Sequence, residues 1–147
     1  LYGYFPIDHL DADLTLKPAL GVKARITLVR DVKNGTGVGY GHLFKTKRKS
    51  KLAVVAIGYA DGVSRSLSGK ISASINGALI PQVGAIAMDQ MVFDITENPN
   101  IKIGMVVTIL GSDGQTTISP QNWSNLSGSI PWEILCSFKN RLPRVVI

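Results

Sequence analysis

The stretch Ile71-Ser72-Ala73-Ser74-Ile75-Asn76-Gly77-Ala78-Leu79-Ile80 decides the fold. Ile71, Ala73 and Ile75 alternate with serines, the two-residue period that sets one face of a strand on a core and the other in water. Asn76-Gly77 tolerates the positive φ that a two-residue hairpin turn needs at both central positions, so a partner strand begins at Ala78. Pro81 has no amide hydrogen for a ladder, which places it at an edge or a bulge.

The same grammar extends in both directions. Val22, Ala24, Ile26 and Leu28 alternate with Lys23, Arg25 and Thr27, a half-buried strand ended by the Asn34-Gly35 turn. Leu52 to Tyr59 reads as one continuous apolar strand, Met91 to Thr96 as another before Asn98-Pro99, and Met105 to Leu110 as a third, ended by Gly111-Ser112-Asp113-Gly114. Leu142 to Ile147 has the composition of a closing strand. Helix signals come late: Ser119 before Pro120 matches an N-cap followed by proline at the first helical position, and Ser129 before Pro131 offers a second short start. Close-spaced short strands with one or two small helices predict a mainly β fold, a small barrel or sandwich-like domain. The absence of any βαβ alternation sets aside a dinucleotide-binding reading of Gly35, Gly37, Gly39 and Gly41, which open no helix and instead suit bulges or close backbone approach.

A chain of 147 residues with 45% hydrophobic composition suits one compact domain with a real core. No apolar run approaches the ~20 residues of a membrane span, so no membrane partner is expected. Cys136 is the single cysteine, which excludes an internal disulfide and makes a reducing, cytoplasmic setting the expectation. The net charge of +6 gathers partly in Lys45, Lys47, Arg48, Lys49 and Lys51. A nucleic-acid-binding barrel would use that loop with Tyr40, Tyr59 and Phe44 as stacking platforms. The charges carry no interleaved aromatics, however, so the segment reads as a solvated connection and no nucleic-acid partner is expected.

Three signatures remain between Val38 and Asp94, each where an apolar run meets glycine or methionine: Val38-Gly39-Tyr40-Gly41, Ile57-Gly58-Tyr59-Ala60-Asp61-Gly62 and Ala87-Met88-Asp89-Gln90. Together with Leu1-Tyr2-Gly3, Arg65, Val83-Gly84 and the closing Arg141-Leu142-Pro143-Arg144, they stand in the order and at the approximate intervals of the C-terminal β domain of alanine racemases, which this chain resembles over essentially its whole length. Residues 1–18 then correspond to the end of a preceding TIM barrel and a linker, and 19–147 to the β domain.

The resemblance implies a pyridoxal 5'-phosphate enzyme that interconverts L- and D-alanine with two bases on opposite faces of the cofactor. One base is the Schiff-base lysine of the barrel, which has no counterpart here, so this chain alone is expected to be inactive. The other is a tyrosine that one subunit's β domain offers to the barrel of its partner in a homodimer; by position it is Tyr40. Met88 matches the residue whose backbone N–H holds the substrate carboxylate. Tyr59, Arg65 and Asp89 match residues of the substrate entrance. A phenol serves as a base near neutral pH only where neighbouring cations favour the phenolate, and in the family those cations come largely from the barrel.

Taken singly, these residues have plainer readings. Tyr40 and Tyr59 could be packed strand-end aromatics, Met88 a core side chain, and Asp61 and Asp89 turn residues bonding their own backbone. Gly39-Tyr40-Gly41-His42 also looks superficially like a cofactor-lysine neighbourhood, but Lys33 lies too far upstream and sits at a turn. No metal site is expected: Asp8-His9-Leu10-Asp11-Ala12-Asp13 lacks the spacing of a calcium loop and suits a polar linker. Two departures from the family pattern are Ala85, where many members carry an arginine, and Asn140, cofactor-proximal by position, where some carry a tyrosine. A more open and polar pocket is expected there. Asn140 can hydrogen-bond a substrate hydroxyl, so in the intact enzyme Asn140→Tyr should lower the ratio of serine to alanine racemisation; an unchanged ratio would dismiss that role.

Overall fold

The computed structural model describes residues 2–4 and 16–146. The acidic cluster between Asp8 and Asp13, with Leu1 and Ile147, lies outside the described residues. In chain order the elements are β1 (Val22–Val32), β2 (Gly37–Val38), β3 (Phe44–Lys45), β4 (Ser50–Val55), β5 (Ser72–Ile75), β6 (Ala78–Val83), β7 (Met91–Asp94), β8 (Val106–Asp113), β9 (Thr116–Ile118), α1 (Pro120–Ser127) and α2 (Pro131–Ser137). Single 3₁₀ turns stand at Tyr40–His42, Tyr59–Asp61 and Arg65–Leu67.

The strands hydrogen-bond in the order β1-β4-β7-β6-β5-β8, and β8 pairs back onto β1, closing a six-stranded antiparallel barrel. β9 extends from β8, while β2 and β3 form a separate small ribbon. The β5–β6 hairpin turns on Asn76 at φ 52 and Gly77 at φ 79, as the sequence predicts. Ser119 caps α1, accepting from Asn122 N–H at 3.2 Å, with Pro120 in the first turn. Pro81 pairs with Ser72 on β5, but β7 reaches only Gln82 and Val83 of β6, so the proline occupies a local edge inside a closed sheet.

Several boundaries differ from the sequence reading. β4 ends at Val55 rather than running to Tyr59, because the Asp61 carboxylate accepts the Gly58 N–H at 2.9 Å and turns the chain out of the ladder. β1 bulges between Ile26 and Leu28, which breaks the alternation and leaves Leu28 exposed. β8 continues through Gly111, whose φ of 104 and close approach to Gly21 admit no side chain comfortably, and turns only at Asp113-Gly114. The cap position of α2 is Ile130, not Ser129, whose hydroxyl bonds Glu133 instead. Leu142 to Val146 form no strand: β1–β8 pairing already closes the barrel, Pro143 cannot donate, and Val145 and Val146 face solvent.

The barrel interior holds Ile26, Val55, Ile57, Ile80, Met91, Phe93, Val107 and Ile109, and the helices add Trp123, Ile134, Leu135 and Phe138 to the same cluster. Trp123 and Phe138 join α1 to the tail of α2 with ring centroids 6.2 Å apart.

One carboxylate ties the β5–β6 turn to β8. Asp113 Oδ2 accepts from Gly77 N–H at 2.9 Å and from the Ser74 hydroxyl at 2.8 Å. The Gly77 bond first, then the Ser74 bond, hold its pKa below the ordinary aspartate value. A carboxyl depressed in the folded state contributes stability above its unfolded value near ~4 and loses it as the pH falls through the lower folded value. Thermal unfolding of Asp113→Asn should therefore show a loss at pH 7 of up to about 1 kcal/mol, solvent screening keeping it small. The gap from wild type should close as the pH is taken below ~4; a gap that widens in acid would refute the assignment.

Candidate active site at the barrel rim

The loops after β4 and β6, the β2–β3 ribbon and the C-terminal tail meet at one end of the barrel. Their contacts are backbone against backbone, and glycine makes them possible. A Cβ on Gly58 would lie 2.3 Å from Ala87 O, and one on Gly84 would lie 2.8 Å from Val38 O. Gly39 rests on Ala85, where a Cβ would meet its nitrogen at 3.1 Å. The close-approach reading of Gly39 is thus what the structure shows, whereas Gly35 faces open space and serves a turn at φ 80.

On this frame the sequence-designated residues come together. Tyr40 projects from the 3₁₀ turn following Gly39, is 72% exposed, and has no partner for its hydroxyl among the described residues. Tyr59 N–H donates to Ala87 O at 3.0 Å and Ala60 N–H to Met88 O at 2.9 Å, so the Tyr59 turn and the Met88 loop are laced as a short ladder. Ala87 N–H closes that loop on Gln90 O at 3.0 Å. Met88 is 56% exposed, which excludes the core reading, and its own N–H meets no acceptor among the described residues. Arg65 opens a turn whose Ser68 hydroxyl donates to Arg65 O at 2.6 Å and accepts Ile86 N–H at 3.0 Å, joining it to the same loop. Asp89 and Asn140 are exposed at this rim, and the Asp89 charge reaches Arg141, beside Asn140.

The sequence reading missed the link that holds the tail here. Asp61 was legible as a turn residue bonding its own backbone, and its Oδ2 does accept from Gly58 N–H. Its Oδ1 also accepts from Arg141 Nε at 2.9 Å, 80 residues away. That bond and the Asp61 charge raise the Arg141 pKa above its ordinary value. No local pattern announces a pair so distant in sequence.

Beside the rim lies a cleft of about 320 Å³ walled by Tyr59, Ser64, Ser66, Ser129, Ser137 and Lys139 among others. Its hydroxyls are largely engaged internally: Ser137 Oγ donates toward Gly62 O and Ile134 O, Ser129 toward Glu133, and Ser64 and Ser66 bond each other. Of the residues a nucleic-acid barrel would use, three are engaged within the chain. Phe44 packs on the small cluster of Val38, Leu52 and Val83, Arg48 pairs with Glu97, and Lys51 donates to Pro99 O. Among the described residues no group of histidine, cysteine, aspartate and glutamate could hold a metal ion, and no helix is long and apolar enough to cross a membrane.

The profile of the family described as "Alanine racemase, C-terminal domain" matches residues 19–146. The alanine racemase of Prochlorococcus marinus is 64% identical over 147 residues, 100% of this chain and 38% of that protein. That of Nostoc is 48% identical over 145 residues, 99% of this chain and 38% of that protein. Among solved structures, alanine racemase from Bacillus anthracis with bound L-Ala-P superposes with a TM-score of 0.93 at 33% identity, covering 99% of this chain and 38% of that one. The Bartonella henselae enzyme with covalently bound pyridoxal phosphate gives 0.89 at 35% identity, covering 99% and 39%. The chain therefore spans about two fifths of the length of the relatives it matches.

The Gly58 contact separates crowding from backbone strain. Gly58→Ala should destabilise the domain by about 2–3 kcal/mol, since backbone on both sides must move, whereas Gly35→Ala, with free space but a positive φ, should lose only about 1–2 kcal/mol. Denaturant midpoints of the two variants check the order.

Proposed function

Because the chain belongs to the alanine racemase C-terminal domain family, we propose that it is the β domain of a pyridoxal-phosphate-dependent racemase that interconverts L- and D-alanine, supplying D-alanine for peptidoglycan in the cytoplasm. Residues 1–18 form the end of the barrel and the linker, and 19–147 form the domain. In a homodimer this domain faces the partner subunit's barrel, which carries the Schiff-base lysine.

The observation that carries the reading is the pairing of an open phenol with an unoccupied amide on one rim. Tyr40 is 72% exposed with its hydroxyl free among the described residues, and the Met88 N–H is likewise free. An amino acid presents two features to such a rim, a carboxylate that accepts a hydrogen bond and a Cα–H that can be lost as a proton. The donor set suits that ligand, and the phosphate and ring of the cofactor would be held mostly by residues of the barrel, with Asn140 alongside.

When bound, the cofactor delocalises the electron pair left at Cα into its pyridine ring. Tyr40 Oη, as phenolate, takes the proton from Cα on one face, or as phenol returns it there, while the lysine does the reverse on the other. The Met88 N–H donates to the substrate carboxylate, a charge-assisted bond that fixes which face Cα presents. Tyr59, Arg65 and Asp89 line the entrance and govern passage rather than proton transfer.

In the full-length protein, alanine racemisation should be readily measured. Tyr40→Phe removes the hydroxyl and keeps the ring, so it should lower kcat by at least about 100-fold with KM changed only a few-fold. Wild-type activity followed by loss of chirality, with no such loss of rate in the variant, would remove Tyr40 from the base role.

A further inference from the structure

Among the described residues Asp61 is the one buried carboxylate at the rim, only 6% exposed, and both of its oxygens are used. Oδ2 accepts Gly58 N–H at 2.9 Å, and Oδ1 accepts Arg141 Nε at 2.9 Å. The first bond winds residues 58 to 61 into the turn from which Tyr59 and Ala60 donate to Ala87 O and Met88 O. The geometry of the peptide group gives those two bonds a directional consequence. Ala87 O and the Met88 N–H belong to one planar unit, and no peptide here is cis, so oxygen and hydrogen point in opposite directions. Drawing Ala87 O toward Tyr59 aims the Met88 N–H away from the turn, where it meets no acceptor among the described residues.

We infer that Asp61 is a positioning residue for substrate binding: held by Arg141, it sets the Gly58–Asp61 turn that aims the Met88 amide. This rests on the reading of Met88 as the carboxylate donor. Two further features fit it. Gly58 sits so close to Ala87 that the turn cannot slide without displacing that peptide, and Arg141 brings the C-terminal tail to a carboxylate that would otherwise be buried with an unpaired charge. Tyr40 stands on a different loop, seated on Ala85 rather than on the turn, so disturbing Asp61 acts on binding before proton transfer.

Gly58 and Arg141 donate to different oxygens of Asp61, and an Asn amide places a donating nitrogen where one of them stands, so one of the two bonds is lost in this geometry. In the full-length enzyme Asp61→Asn should raise KM for both L- and D-alanine about tenfold while kcat stays within about twofold. Arg141→Gln should raise KM in the same direction by about threefold, and Arg141→Lys should sit nearer wild type. Asp113→Asn, which loosens a hairpin away from the rim, serves as the control: it should lower Tm and leave KM unchanged. An Asp61→Asn enzyme with lowered Tm and unaltered KM, or with kcat falling at constant KM, overturns the inference. If that variant does not fold, Arg141→Gln decides, since the arginine side chain is 58% exposed and not required by the core; an unchanged KM there overturns it equally. A wild-type enzyme that fails to racemise alanine would instead sink the functional reading itself, which is a separate result.

Discussion

Closure of the barrel depends on a single strand serving two neighbours. β1 gives Val22 to Arg25 to β8 and Ile26 to Val32 to β4, and the irregularity between Ile26 and Leu28 bends it so that one strand can turn the corner. Without that bend β4 and β8 would each present an unpaired edge, and the sheet would lie open. Closure makes the C-terminal ends of β4 and β6 neighbours around a common rim, both antiparallel to β7 between them. It is there that Tyr40, Tyr59 and Met88 stand exposed.

With Ile26, Val55, Ile57, Ile80, Met91 and Phe93 filling the barrel core, the exposed tyrosines and Met88 stand on the loops. The loops here are not loose attachments. The Tyr59 turn, the Met88 loop, the Arg65 turn and the tail are joined through Ala87, Met88, Ser68 and Asp61, each by a specific hydrogen bond. Rigidity of this kind matters because a donor to a carboxylate works by direction, and a backbone amide can be directed only by fixing the peptide on either side of it.

What could be read from the sequence was what local chemistry determines. Asn76-Gly77 sets its hairpin with two residues, and Ser119-Pro120 starts a helix within one turn. The β character followed from alternation, and the rim residues from signatures that each fall where a strand stops. What could not be read depends on partners far along the chain. Ala56 to Gly58 look like strand, yet the Asp61 carboxylate diverts them. Leu142 to Val146 have strand composition, yet the barrel has no edge left to receive them. Leu28 follows the alternation of its strand but lies past a bulge, which reverses its face. The Asp61–Arg141 pair spans 80 residues, and nothing in either neighbourhood marks the other.

The rim is also open to solvent at several large side chains. Tyr40 is 72% exposed, and its hydroxyl meets no partner among the described residues. Three cations of this chain are already engaged: Arg141 by Asp61, Arg48 by Glu97, and Lys51 by a carbonyl. Tyr40 and Leu43, two large apolar side chains more than 70% exposed within four residues, form the kind of patch a protein covers with a partner. Covering it would exclude water from the phenol.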